Sequence, residues 1–180
     1  HRITHACNYE YPRLNMPTPG ANVGGPCLYK DGYFLVDSVP YADLIRTAFT
    51  INEGMPRYLL DAAVRQKQIR RAAILGMAFK ANIDDTRHSV SYRLKKRLQQ
   101  RTIEVVEVDP HIPGLEDFSR LEGVDCAFLM TPHRAFKPLS VVADWINNPA
   151  CLMVDMWNAW DETSQVSHNG FFELAKAGTK

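Results

Sequence analysis

The sequence predicts an α/β fold in which a long helix precedes an open, mostly parallel, doubly wound sheet. Four short apolar runs, at 72–75, 103–108, 126–130 and 151–154, are separated by stretches of helical spacing. Leu44, Ile45, Ala48, Ile51, Met55, Leu59, Ala62 and Ala63 fall at helical intervals within 41–68. Polar residues gather directly after each apolar run, which is where open parallel sheets bind ligands.

Residues 1–19 mix aromatic, Asn and Pro residues without a clear period or helix start signal. The stripe over 41–68 reads as one helix, with a kink or break expected at Gly54-Met55-Pro56, since an interior proline costs about 3 kcal/mol. The apolar runs are the right length for strands buried on both faces. Between the first two, Val90, Leu94 and Leu98 share a face while Arg93, Lys95, Lys96 and Arg97 point elsewhere, with Ser89 as a candidate N-cap. Further crossovers are expected through 118–121 and 135–146, and a last helix from about 171. Strands alternating with helices imply right-handed parallel crossovers from residue 71 onward. The expected division is therefore 1–70 and 71–180.

With 21 Lys and Arg against 20 Asp and Glu, the formal charge of +1 gives no general drive toward nucleic acid or acidic membranes, so any anion must be held locally. Cysteines at 7, 27, 126 and 151 have no CxxC spacing, which argues against a zinc site or a disulfide framework and fits a reducing, cytoplasmic setting. No apolar run approaches the roughly 20 residues of a membrane span.

Two segments carry chemistry. In Gly24-Gly25-Pro26-Cys27-Leu28-Tyr29-Lys30-Asp31 a cysteine sits in a glycine-rich turn with an ammonium and a carboxylate close behind. The glycines allow the backbone to approach a substrate, and a thiol becomes a nucleophile when positive charge or a base stands near it. The alternative is a buried cysteine after a tight turn. In the second segment Lys80, Asn82, Asp84, Asp85 and Arg87 follow the first strand and lead into a helix. Two cations beside backbone donors make a phosphate site, although polar loops and capping carboxylates account for many such residues. Asp109, His111, Thr131, His133, Asp155 and Asn158 follow the later strands.

The runs ILGMAFKANIDDTRHS, VVEVDPH, DCAFLMTPH and MVDMWNAW, preceded by PTPGANVGGPCLYKD, resemble the nucleotide-sugar 6-dehydrogenases, which act on UDP-glucose and UDP-N-acetylhexosamines. The resemblance covers the later part of such an enzyme. It implies NAD as cofactor and Cys27 as the nucleophile that carries the sugar through a thiohemiacetal and a thioester to a uronate. Asp31 would assist the cysteine and water. Lys80, Arg13, Gly24 and Gly25 would meet the UDP-sugar, with Arg13 reaching across a dimer interface in some members. Lys30 and Arg87 would meet the cofactor. The long helix would form the homodimer, and an N-terminal NAD-binding domain would precede residue 1, with the family's dinucleotide turn, oxyanion lysine and asparagine, and glutamate base. Asn22 replaces a family glycine, and Trp157 stands where many members have an arginine. The Arg13–Cys27 spacing resembles the N-acetylhexosamine branch, whereas Lys30 resembles the UDP-glucose branch. A binding and dimerisation module without turnover is the competing reading, and a cysteine hydrolase using His111 or His133 is a third.

Overall fold

The computed structural model of the protein describes residues 2–21, 23–160 and 170–174. Two short helices, α1 (Arg2–Asn8) and α2 (Leu28–Ser38), lead into the long helix α3 (Asp43–Gln66). The sheet follows: β1 (Arg71–Leu75), helix α4 (Ser91–Gln100), β2 (Glu104–Val108), β3 (Cys126–Leu129), helix α5 (Leu139–Ile146) and β4 (Leu152–Val154). These strands are parallel, in the order β2-β1-β3-β4.

Helices cover both faces, which is why the strands need unbroken apolar runs rather than alternation. Leu59, Leu60 and Ala63 of α3 and Leu94 and Leu98 of α4 pack on Ile74, Phe128 and Val154. On the other face Leu121, Phe136, Val142 and Ile146 pack on Leu75, Leu129 and Met153. Burying each such Leu or Ile contributes roughly 2 kcal/mol. The second crossover is a single 3-10 turn at Phe118–Leu121, and the third is a 3-10 turn at Arg134–Phe136 followed, beyond Pro138, by α5.

Four expectations are corrected. The helix expected from 171 begins as a strand, β5 (Phe171–Glu173), antiparallel to β4 at the sheet edge. Phe171 and Phe172 enter opposite core faces, an alternation that a strand provides and a helix does not; residues 175–180 lie outside the described residues. Of the kink or break expected at Gly54-Met55-Pro56, the break is absent, α3 being helical through Pro56. The proline is buried, and one turn earlier the Asn52 side chain accepts the Val23 N–H at 2.8 Å and donates to the Val23 carbonyl at 2.7 Å, tying the preceding loop to the helix. Residues 2–8 are helical despite lacking a period. Finally, α4 starts at Ser91 after Val90, with no side-chain cap. Ser89 Oγ accepts the Ser91 N–H only at 3.4 Å, while Ser91 Oγ donates to the Gly76 carbonyl at 2.8 Å and fastens the helix to the end of β1.

Candidate functional site

The chain leaves β1 toward β2 on one side and, later, β3 on the other, so the loops after β1 and β3 diverge at the switch point of the sheet. Their separation begins at Gly76, whose φ of +93° and lack of a Cβ let it lie against Thr131. Beyond it a cavity of about 350 Å³ opens. Phe79, Lys80 and Ala81 from the β1 loop, Thr131 and Pro132 from the β3 loop, Val23 and Gly24, and Trp157 line it. That is a mostly apolar hollow with an exposed lysine at its edge, suited to a flat heterocycle carrying a negative group.

The Cys27 turn docks on this wall. A Cβ on Gly24 would fall 2.9 Å from the His88 carbonyl, and one on Gly25, at φ +106°, would fall 3.0 Å from the Phe79 ring. Only glycines allow so close a seat. Cys27 is exposed and precedes α2, with Lys30 and Asp31 exposed in its first turn. The Lys30 and Asp31 N–H groups both donate to the Cys27 carbonyl at 3.0 Å. This helix had no signal in the sequence beyond the turn itself. Its Gly32 is the position where the Phe49 ring of α3 presses on the α2 backbone, and Tyr33 stacks on the same ring at 5.0 Å.

Arg87 lies within electrostatic reach of the Cys27 thiol. Its guanidinium binds both oxygens of Asp85, at 2.7 and 3.0 Å. That bond holds Asp85 below the usual carboxylate range and Arg87 above its own, with the charge of Cys27 a further, smaller influence on Arg87. Arg13 lies apart, exposed on the loop that Asn8 closes by bonding Met16 at 2.8 and 2.9 Å, and it does not line the cavity. The candidate residues therefore fall in two groups: Lys80 and Gly24 in the cavity, and Gly25, Cys27, Lys30, Asp31 and Arg87 around the turn at its rim.

Beneath the Lys80 loop lies a buried network. Asp109 Oδ2 accepts the N–H groups of Met77 at 2.7 Å and Ala78 at 3.0 Å and pairs with His133 Nε2 at 3.0 Å. Its Oδ1 accepts the His111 N–H at 2.9 Å. His133 Nδ1 faces the Asn82 N–H at 3.0 Å. Burial pushes Asp109 upward, but the His133 bond and three backbone donors outweigh it and hold the carboxyl below its ordinary value. His133 has no exposed surface and both ring nitrogens are engaged, so it is not available as a base to Cys27. The cysteine-hydrolase reading loses that histidine.

Trp157 is the cavity residue the sequence understated. Its N–H donates to Asp155 Oδ1 at 3.0 Å, its indole Nε1 to the Met130 carbonyl at 3.0 Å, and the bare Gly20 backbone lies on its ring. A second cavity of about 840 Å³ opens on its other side, toward Arg2, His5 and Asn158. Asp155, which orients the 155–160 turn, is pushed up by burial despite its N–H donors. The signal available in the sequence was an Asp at the strand end followed by a Trp two residues on.

The thiols should differ in reactivity. Cys126 and Cys151 are buried, and burial raises both, Cys151 to about 12. Limited alkylation read by mass spectrometry is expected to modify Cys27 first, half-buried Cys7 next and the two strand cysteines only on unfolding; early modification of Cys126 or Cys151 would contradict this burial.

Residues 73–162 match the UDP binding domain of the UDP-glucose/GDP-mannose dehydrogenase family. The chain is 38% identical over 150 residues to an NDP-N-acetyl-D-galactosaminuronic acid dehydrogenase of Ralstonia solanacearum, covering 72% of this chain and 34% of that protein. Among solved structures, a UDP-D-ManNAc dehydrogenase of Pyrococcus horikoshii superposes with a TM-score of 0.74 at 31% identity, over 88% of this chain and 40% of that one. A UDP-N-acetyl-mannosamine dehydrogenase of Staphylococcus aureus gives a TM-score of 0.69 at 28% identity, over 88% and 38%. The chain spans about a third of the length of the curated relatives it matches.

Proposed function

The chain belongs to the UDP-glucose/GDP-mannose dehydrogenase family, and on that premise we propose that it forms the UDP-sugar wall and the cysteine turn of an NAD-dependent UDP-N-acetylhexosamine 6-dehydrogenase. The observation that carries this reading is the joint lining of one cavity by Lys80 and by Gly24 of the Cys27 turn. A nucleotide base seated against Phe79 and Trp157 leaves its phosphates at Lys80 and its sugar directed toward Cys27. The acylated-hexosamine class follows the substrates named for the relatives at 33–38% identity.

In this mechanism Cys27 acts on the C6 aldehyde. The thiolate forms a C–S bond to the carbonyl carbon while the carbonyl pair moves to oxygen, which takes a proton. Loss of the adduct's hydrogen as hydride and of its hydroxyl proton leaves a thioester. Water, directed by Asp31, then breaks the C–S bond, releasing the uronate and restoring the thiolate. NAD, when bound, would take up this hydride and the one removed earlier from the C6 alcohol to give the aldehyde, one NAD for each oxidation. Lys30 and Arg87, exposed beside the Cys27 turn, are the residues here that fit its phosphates. In this reading the dinucleotide turn and the oxyanion donors come from chain outside these 180 residues, so this polypeptide alone binds UDP-sugar weakly and does not reduce NAD.

Calorimetry with UDP is the test. Lys80→Ala is expected to weaken binding roughly 10- to 100-fold, the worth of one charge-assisted contact. Unchanged affinity would move the nucleotide elsewhere.

The homodimer belongs to the same proposal. Phe34 of α2 and Leu44 and Ile51 of α3 are 67, 81 and 62% exposed, an apolar face that a second copy would cover. Leu44→Asp together with Ile51→Asp is expected to turn a dimer into a monomer by sedimentation. A monomeric parent protein at micromolar concentration would remove the dimer.

A further inference from the structure

We infer that Asp109 and His133 are positioning residues that hold the Lys80 turn in its nucleotide-binding shape, and that they do so only while His133 is neutral. The inference rests on the reading of Lys80 as a ligand of the nucleotide phosphates.

The tautomer follows from the donors. A backbone N–H can only donate, so His133 Nδ1, 3.0 Å from the Asn82 N–H, accepts and carries no proton. The proton is then on Nε2, donated to Asp109 Oδ2 at 3.0 Å. Asp109 in turn accepts the Met77 and Ala78 N–H groups. The loop is thus gripped on both sides of Lys80, at 77–78 by Asp109 and at Asn82 by His133. Asn82 stands at φ +61°, a left-handed conformation that Asn tolerates better than most residues, and the clamp fixes the turn in it. Asn82 Oδ1 completes the clamp by accepting the Arg134 N–H at 2.9 Å, and Thr131 Oγ1 donates to the Ala78 carbonyl at 2.6 Å.

Protonation of His133 would place an N–H on Nδ1 directly opposite the Asn82 N–H. Two donors cannot share that gap, so the turn must swing away and take Lys80 with it. The charged and titratable groups facing the ring are Asp109 and His111 on the β2 loop, the latter with its ring centroid 5.0 Å from that of His133, with Arg134 next in the chain and Lys80 two residues before Asn82. Phe136 closes the remaining side, with its ring centroid 5.8 Å away. Asp85 and Arg87, further along the β1 loop, pair with each other and not with the ring.

Two variants separate the two ring nitrogens. In His133→Asn the side-chain oxygen stands near the place of Nδ1 and retains an acceptor for Asn82, and it cannot titrate. In His133→Gln the amide reaches Asp109 and leaves Asn82 without its acceptor. Amide exchange by NMR should show the Asn82 N–H losing protection about tenfold or more in His133→Gln and staying within about threefold of the parent in His133→Asn. Calorimetry with UDP should show about tenfold weaker binding for His133→Gln, a loss of ~1.4 kcal/mol. On acidification the parent should lose more UDP affinity than His133→Asn, which controls for titration of the phosphate itself. Unchanged Asn82 protection in His133→Gln would overturn the clamp. Parallel pH profiles for the parent and His133→Asn would overturn its dependence on neutral His133. Failure of Lys80→Ala to affect UDP, with Asn82 protection behaving as stated, would instead overturn the reading of Lys80 and leave the clamp standing.

Discussion

Asp109→Ala is expected to destabilise the protein by about 4 kcal/mol, because it strips the acceptor from four donors at once. The N–H groups of Met77, Ala78 and His111 and the Nε2 of His133 all converge on this carboxylate. Asp109 has no exposed surface, so water does not replace the lost partner. Each orphaned buried donor costs roughly 1–3 kcal/mol, and partial relaxation keeps the sum below simple addition. In urea the midpoint should fall by about 2 M, taking an m-value of roughly 2 kcal/mol/M for a chain of this size. A fall equivalent to less than about 1 kcal/mol would mean that the network is not a structural hub.

The same carboxylate has a pH signature. Its folded value lies below the ordinary 3.8, so its contribution is present above that value and is lost as pH falls through the folded one. The gap in stability between parent and Asp109→Ala should therefore be constant near neutrality and narrow below about pH 4. A gap that widened in acid would mean that the folded carboxyl titrates above its ordinary value.

Gly76→Ala is expected to cost at least about 3 kcal/mol, lowering the melting temperature by about 9 °C. Two penalties combine. The residue sits at φ +93°, where a Cβ is strained, and the added methyl would lie 2.5 Å from Thr131 Cβ, 2.7 Å from its carbonyl oxygen and 2.9 Å from its backbone nitrogen. Backbone atoms do not step aside as a flexible side chain does, so the β1 and β3 loops must part. Gly76 also holds α4 through Ser91 and β2 through its own N–H, given to the Val108 carbonyl at 2.9 Å. Because the loops that part are those lining the cavity, UDP affinity should fall along with stability in this variant. Melting within about 2 °C of the parent would show that the strand ends move apart easily.

Local pattern was enough for the architecture. Runs such as 72–75 and 126–130 can only be satisfied between two layers of helices, and the stripe over 41–68 can only be a helix, so the parallel sheet and α3 were legible without any contact being known. The Cys27 turn and the Lys80 loop stood out in the sequence as candidates by their glycines and cations, whereas the pairing of Arg87 with Asp85 did not. Helix α1, the helical start after Cys27, and β5 were not legible. All three are short, and the last two take their conformation from what they pack against: Phe49 on Gly32 of α2, and β4 beside Phe171 and Phe172. The continuity of α3 through Pro56 likewise depended on burial of the ring and on Asn52 bonding a distant loop. The roles of Asp109, His133 and Trp157 were the least legible, being 24 residues apart in the first two cases and separated by another strand in the third. A carboxylate becomes a hub, a histidine a fixed neutral tautomer and a tryptophan a cavity wall only when the sheet brings three strand ends together. The periodicity of the chain determined which elements form, whereas the pairing of β1 with β2 on one side and β3 on the other decided which polar groups lose water and must find one another.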